Sequence, residues 1–284
     1  GSIFASTITE PKNAAGVALI QNYYHDPYNS SSLPVRALTL SDGSSYGIKD
    51  VKSDNSALFL WLPEGVGVSG VTYDTSDVEA YWGSSATDAP FSGSLSTAIK
   101  KAEEGSGSTK YIRLNKDHTG SIMPSRGCFT LDLNGKTLTG GLYLAGLNIS
   151  VTLTDSAGGG KITSNNSPAI QLAYGSTVTI NGGSYHGSGA LYVDNGCSAV
   201  VTGGRLSTNN RYVICNDGSL TVSGGTLVGG SEYSVSANGT TTLAGVTYED
   251  TPDCTIYYRG GALDLSDVSN AGIFLKNATG KTVS

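Results

Sequence analysis

Charge is scarce in this chain. Asp, Glu, Lys and Arg make up 14% of its 284 residues, against roughly a quarter in an average soluble protein. The 17 basic residues are outnumbered by 23 acidic ones, for a net charge of −6. Binding to nucleic acid or to an anionic membrane begins with Lys/Arg clusters, so both partner classes are set aside. Long apolar runs are also missing. The longest, ALFLWLP at Ala57–Pro63, has the length of a strand, short of the roughly 18–20 residues that span a bilayer. The four cysteines (Cys128, Cys197, Cys215 and Cys254) include no Cys-x-x-Cys pair and no His at zinc-ligand spacing, which argues against a thiolate metal site. They read as free thiols that pack like small apolar side chains, with a disulfide as the alternative. No charged-then-apolar leader opens the chain, and it stops inside a patterned segment, NATGKTVS. It reads as a piece of a longer protein.

What the chain does have is glycine, 39 residues of it, about twice the usual share. Many fall in pairs at a constant interval. Val-x-Gly-Gly-x-Leu occurs at Val201–Leu206 and again at Val222–Leu227, 21 residues on. The apolar residue before the corner recurs at Leu133, Leu153, Ile180, Val201, Val222, Leu243 and Leu265. The one long step is explained by the loop Asp155–Lys161. A second apolar position follows five residues later, at Leu138, Tyr185, Leu206, Leu227 and Tyr248, with Ile162 in that role after the loop.

A third segment alternates with period two, as a half-buried strand does. Its first inward column reads Leu142, Ile170, Leu191, Tyr212, Tyr233, Ile256 and Ile273; its second reads Leu144, Leu172, Val193, Ile214, Val235, Tyr258 and Leu275. Three short strands per repeat cannot bury their apolar faces alone and must stack on the copy before. The expected fold is all-β, a parallel β-helix. Gly-Gly marks a corner, where φ > 0 is needed and a Cβ would meet the next rung.

Upstream, Leu95, Ala98, Ile99 and Ala102 lie on one face of a predicted short helix with Ser94 as N-cap. Such a helix would cover the open first rung and shield its edge. A helix of this type, then KYIRL, then coils of the LDLNGKTLTGG kind, resembles the pectin-lyase-like right-handed β-helix superfamily, in particular the modules of extracellular bacterial surface proteins. The resemblance covers about residues 93–284. It implies a right-handed coil; its members include lyases, hydrolases, esterases, tailspikes and adhesins, so it implies no single activity. Residues 1–92 break the pattern. GVALIQNYY, VRALTLS, ALFLWLP and VSGVTYDTS read as strands of a small β-rich domain, with a linker at Ser84–Gly93.

For catalysis the outward positions matter. On the first strand they are Asp132, Thr152, Thr179, Val200, Thr221, Thr242 and Asp264. The two acids stand six rungs apart, about 29 Å, whereas paired glycosidase carboxylates need roughly 5–9.5 Å. On the third strand the outward column is Tyr143, Gln171, Tyr192, Val213, Ser234, Tyr257 and Phe274, without an acid or base. Asp194 and Asp217 at a corner read as turn residues. Glu249–Asp250 is a calcium alternative, and His25, His118 and His186 lie apart, His186 reading as solvated. Ice binding through the Thr column is opposed by Val200 and the Asp at each end.

Tyr185, Tyr212, Tyr233, Tyr248 and Tyr258 read as packing. Tyr143, Tyr192 and Tyr257 read as an outward aromatic row for a glycan or protein ligand. The sequence therefore predicts a non-catalytic, monomeric, extracellular or cell-surface adhesin-type module without cofactor, metal or catalytic residues, whose partner is a glycan or a cell-surface protein. The alternative is a polysaccharide lyase or glycoside hydrolase.

Overall fold

The computed structural model describes residues 18–21, 35–40, 45–47, 58–61, 68–73, 78–89, 91–104, 109–147, 149–250, 254–267 and 275–277. Two compact units emerge, one of Gly1–Val78 with Phe91–Thr97, the other of Glu79–Pro90 with Ala98–Ser284. In the first, Ala18–Gln21 and Leu58–Trp61 pair antiparallel, and Ser45–Gly47, Val35–Leu40 and Val68–Tyr73 form a three-stranded antiparallel sheet. Four of these five strands fall in the segments expected as strands; Ser45–Gly47 is not among them.

The second unit is a parallel β-solenoid of about seven turns, with one strand of each turn in each of three sheets. The first sheet carries the inward column Leu131, Leu153, Ile180, Val201, Val222 and Leu243, all fully buried. The second carries Leu138, Ile162, Tyr185, Leu206, Leu227 and Tyr248 in the expected order. Each fully buried aliphatic side chain contributes about 1.5–3 kcal/mol relative to exposure. One register differs from the sequence reading: Leu131, not Leu133, stacks under Leu153. Leu133 is buried at the corner beyond.

The third sheet holds the larger correction. Leu142, Ile170 and Leu191 stack as expected, but Leu191 is followed by Ile214, then Val235, Ile256 and Leu275. The second inward column continues from Val193 to Asn216, Ala237, Tyr258 and Asn277. The outward column is Tyr143, Gln171, Tyr192, Cys215, Ser236, Tyr257 and Lys276. Ile273 and Phe274 lie outside the described residues. The cause is a compensated shift. The stretch from Leu206 to Ile214 is two residues longer than that from Tyr185 to Leu191, and the turn from Asn216 to Leu220 is two residues shorter than that from Val193 to Ala199. The 21-residue period survives while the third strand slips by one full pleat. Asn216 thereby enters the core, where its amide donates to Thr240 O (3.0 Å) and Thr241 Oγ1 (2.8 Å) and its Oδ1 accepts from Gly218 N (3.0 Å). A buried amide so paired is tolerated.

The glycine pairs serve two tasks. Gly183, Gly204 and Gly225 have φ of 87°, 91° and 90°, the left-handed region that disfavours a Cβ. A Cβ on Gly203 or Gly224 would stand 2.7 Å and 2.5 Å from the carbonyl oxygens of Asn181 and Thr202 in the rung before. The first glycine permits close stacking; the second permits the bend and stacks closely as well, since a Cβ on Gly204 or Gly225 would stand 2.9 Å from a carbonyl oxygen of the rung before.

Leu95–Glu103 is helical, with Leu95, Ala98, Ile99 and Ala102 buried and Thr97 N donating to Ser94 Oγ at 3.1 Å. Its C-terminal half lies on the first rung: Ser125 N donates to Glu103 Oε1 (2.6 Å), and a Cβ on Gly127 would stand 2.9 Å from the Ala102 carbonyl. The strand Ala80–Gly83 pairs antiparallel with Tyr111–Leu114, burying Trp82. In the segment expected as a linker, Ser85 and Asp88 bridge a turn that follows this strand.

Candidate functional site

Carboxylates come first, because cleaving a polysaccharide needs them free. Asp132 does not face outward as the alternation implied. It pairs with Thr154 and is fully buried, and Thr130 takes the place in the outward column. Its Oδ1 accepts from Asn134 N and Ser156 N, both at 2.9 Å, and its Oδ2 from the Tyr111 hydroxyl. Burial would raise the Asp132 carboxyl, but the hydrogen bonds from Ser156, Tyr111 and Asn134 outweigh it and hold the group below its ordinary value. Burial, and then the Asp132 hydrogen bond and charge, push the Tyr111 phenol up.

Other acids are committed in the same way. Asp155 accepts from Gly135 N and Gly160 N, each at 2.7 Å, and Asp117 from Thr137 N at 2.7 Å. Glu249 pairs with Arg205 at 2.6 Å and Glu232 with Arg211 at 2.7 Å, so the calcium alternative at Glu249–Asp250 loses its first ligand to a cation. Among the described residues no group of three His, Cys, Asp or Glu side chains could hold a metal. His186, expected in solvent, is half-buried with Nδ1 3.0 Å from Ser207 Oγ. His118 lies 4.0 Å from Glu79, and His25 falls outside the described residues.

Tyr143, Tyr192 and Tyr257 share the outward column of the third sheet and are half-buried. Two parts of that column differ. In the N-terminal part Tyr143 and Tyr192 flank Gln171. In the C-terminal part Cys215 and Ser236 intervene, and both are buried. Tyr212 and Tyr233, expected in the inward column, lie one pleat before it; Tyr233 is buried all the same and stacks on Tyr257 with ring centroids 4.5 Å apart, while Tyr212 is half-buried. Arg211 lies over the Tyr233 ring at 5.8 Å and Lys276 over the Tyr257 ring at 5.4 Å. Tyr257 is thus engaged by a ring from the rung before it and by a cation from the rung after. Tyr185 is fully buried as expected, its hydroxyl donating to Gly182 O at 2.6 Å. Tyr258 donates to Gly261 O at 2.7 Å.

Asp217 organises the adjoining corner. It accepts from Asn238 Nδ2 at 2.8 Å and from the Tyr192 hydroxyl at 3.4 Å, with Arg259 at 3.9 Å. Burial first, then the Cys215 and Asp217 charges, push the Tyr192 phenol up to about 12. Cys215 pairs with Tyr192, and burial pushes its thiol up to about 11. Cys128, Cys197 and Cys215 are free thiols; the Cys254 side chain lies outside the described residues. Lys276, Arg211 and Arg259 surround the tyrosine ladder, a cationic setting that the misregistered column concealed.

The first sheet's outward face reads Thr130, Thr152, Thr179, Val200, Thr221, Thr242 and Asp264. One of the two acids counted against an ice-binding face is therefore absent from it; Val200 and Asp264 remain. No family model matches the chain, and no curated protein or solved structure matches it.

Proposed function

We propose that this chain is a non-catalytic module of an extracellular or cell-surface protein, a rigid solenoid that presents an outer face to a glycan. One observation carries the reading. The acids best placed for chemistry are spent on the fold: Asp132, Asp155 and Asp117 accept backbone N–H groups at corners, and Glu232 and Glu249 are ion-paired on the surface. A general acid needs a raised pKa and a free proton, and the Asp132 environment works in the opposite direction. A stack of parallel strands with little charge and many hydroxyls favours a ligand held by hydrogen bonds and ring contacts over one held by ion pairs.

The test is a glycan array run beside a reducing-end assay on the same polysaccharides. Binding without release of new ends is the expected result. Product formed in proportion to protein concentration would replace this reading with a lyase or hydrolase.

A further inference from the structure

We infer that the N-terminal part of the third outer face, Tyr143, Gln171 and Tyr192, together with Tyr174 at the adjoining corner, is a subsite for an uncharged oligosaccharide. The inference rests on the module reading above and names the class of its ligand.

Exposed apolar surface converges here. Among the described residues the large hydrophobic side chains left exposed are Phe91, Met123, Leu147 and Tyr174, the last three at 64%, 73% and 66%. Those three border one face. Ile122 bridges Leu142, so Met123 lies one rung before Tyr143 in the same column. Ala173 N donates to Leu144 O, so the corner that bears Tyr174 sits directly over the corner that bears Leu147.

Tyr174 supplies an independent sign. Its φ is 56°, in the left-handed region that disfavours any residue with a Cβ. A tyrosine there holds an exposed ring at a backbone cost, and such residues cluster where a surface contacts ligand.

Charge selects the ligand class. Met123, Tyr143, Gln171 and Tyr192 are uncharged, and the cations over the tyrosine rings, Arg211 and Lys276, begin only beyond Tyr192. The acids at the rim are Asp194, whose Oδ1 accepts from Asn195 N at 2.8 Å, and Asp217, which accepts from the Tyr192 hydroxyl at 3.4 Å and lies 3.9 Å from Arg259. A carboxylated sugar would be desolvated beside these two acids, and the nearby cation, Arg259, is already paired with Asp217. A neutral sugar would meet ring surface from Tyr143, Tyr192 and Tyr174 and both a donor and an acceptor from Gln171. Tyr143 and Tyr192 are two rungs apart, about 9.6 Å, close to the length of a disaccharide in an extended chain. Tyr257 takes no part, because its ring is already engaged by Tyr233 and Lys276.

Calorimetry on the full chain would use cellohexaose, xylohexaose and mannohexaose as neutral probes and a galacturonate oligomer as the acidic one, at low and high salt. At least one neutral probe should bind, with an affinity that salt leaves unchanged. Tyr192→Ala and Tyr174→Asn should each weaken it about tenfold, and Tyr257→Ala should leave it within about twofold. Asn tolerates the left-handed backbone, so Tyr174→Asn removes the ring while the corner stays folded, and melting curves check each variant. A neutral glycan still bound at full strength by both variants would overturn the subsite and leave the module reading standing. Salt-sensitive binding of the galacturonate alone, or no binding of any neutral probe, overturns the subsite as well; new reducing ends would overturn the module reading itself.

Discussion

Replacing Gly225 by Ala tests the stacking of the corners. At φ 90°, an L side chain costs about 1–2 kcal/mol from its own backbone. A second cost comes from the neighbouring rung: the new methyl would stand 2.9 Å from the Gly204 carbonyl oxygen and 3.1 Å from the Gly203 carbonyl carbon. Both belong to backbone that is itself stacked on Gly183, so relief requires the rungs to part, and overpacking of this kind costs about 1–3 kcal/mol. Against both stands the lower entropy of the unfolded alanine chain, about 0.4–1 kcal/mol. The expected net loss is about 2–4 kcal/mol. Gly196 is the control, because its φ is 79° yet a Cβ there would meet nothing within 4 Å. Gly196→Ala should cost only the backbone share, about 1 kcal/mol or less. Urea unfolding followed by far-UV circular dichroism would read the two midpoints. Equal midpoints, or a larger shift for Gly196→Ala, would refute the claim that rung-to-rung contact requires these glycines.

Leu227, fully buried between Leu206 and Tyr248, should lose several kcal/mol on change to Asp, and a wild-type denaturation midpoint would show that it is not inside. Asp132 has its folded pKa depressed, so its contribution is complete above the ordinary carboxylate value of about 4 and is lost as pH falls through the lower folded value. Acid titration of stability should therefore be steeper for wild type than for Asp132→Asn; parallel curves would refute the assignment. Thiol titration should find four reactive groups in denaturant, with Cys128 modified in the folded chain and Cys197 and Cys215 only after unfolding, since both are buried. Two or fewer groups in denaturant would indicate a disulfide.

The first and second inward columns could be read in the sequence because each strand sits a constant distance from a Gly-Gly corner. Ile180, Val201, Val222 and Leu243 needed only the repeat. The helix was legible for a similarly local reason, since Leu95, Ala98, Ile99 and Ala102 are a single stripe and Ser94 caps its first turn. The third sheet was not legible beyond Leu191. Two residues gained at one corner and lost at the next leave the period at 21, and alternation alone reads equally well one pleat away, so Tyr212 imitates a core residue and Ile214 its neighbour. Only hydrogen bonding between rungs separates the two registers, and it places Cys215 beside Tyr192 and Lys276 beside Tyr257. The same holds for Asp132, whose burial depends on Tyr111 and Ser156 arriving from turns 21 and 24 residues away. The sequence by itself determined a coil of stacked strands, because periodic burial and corner sterics are local and repeat. Which side chains meet across the outer faces, and which rings remain open to a ligand, was decided by the tertiary structure, because that depends on how loops of unequal length distribute themselves between rungs.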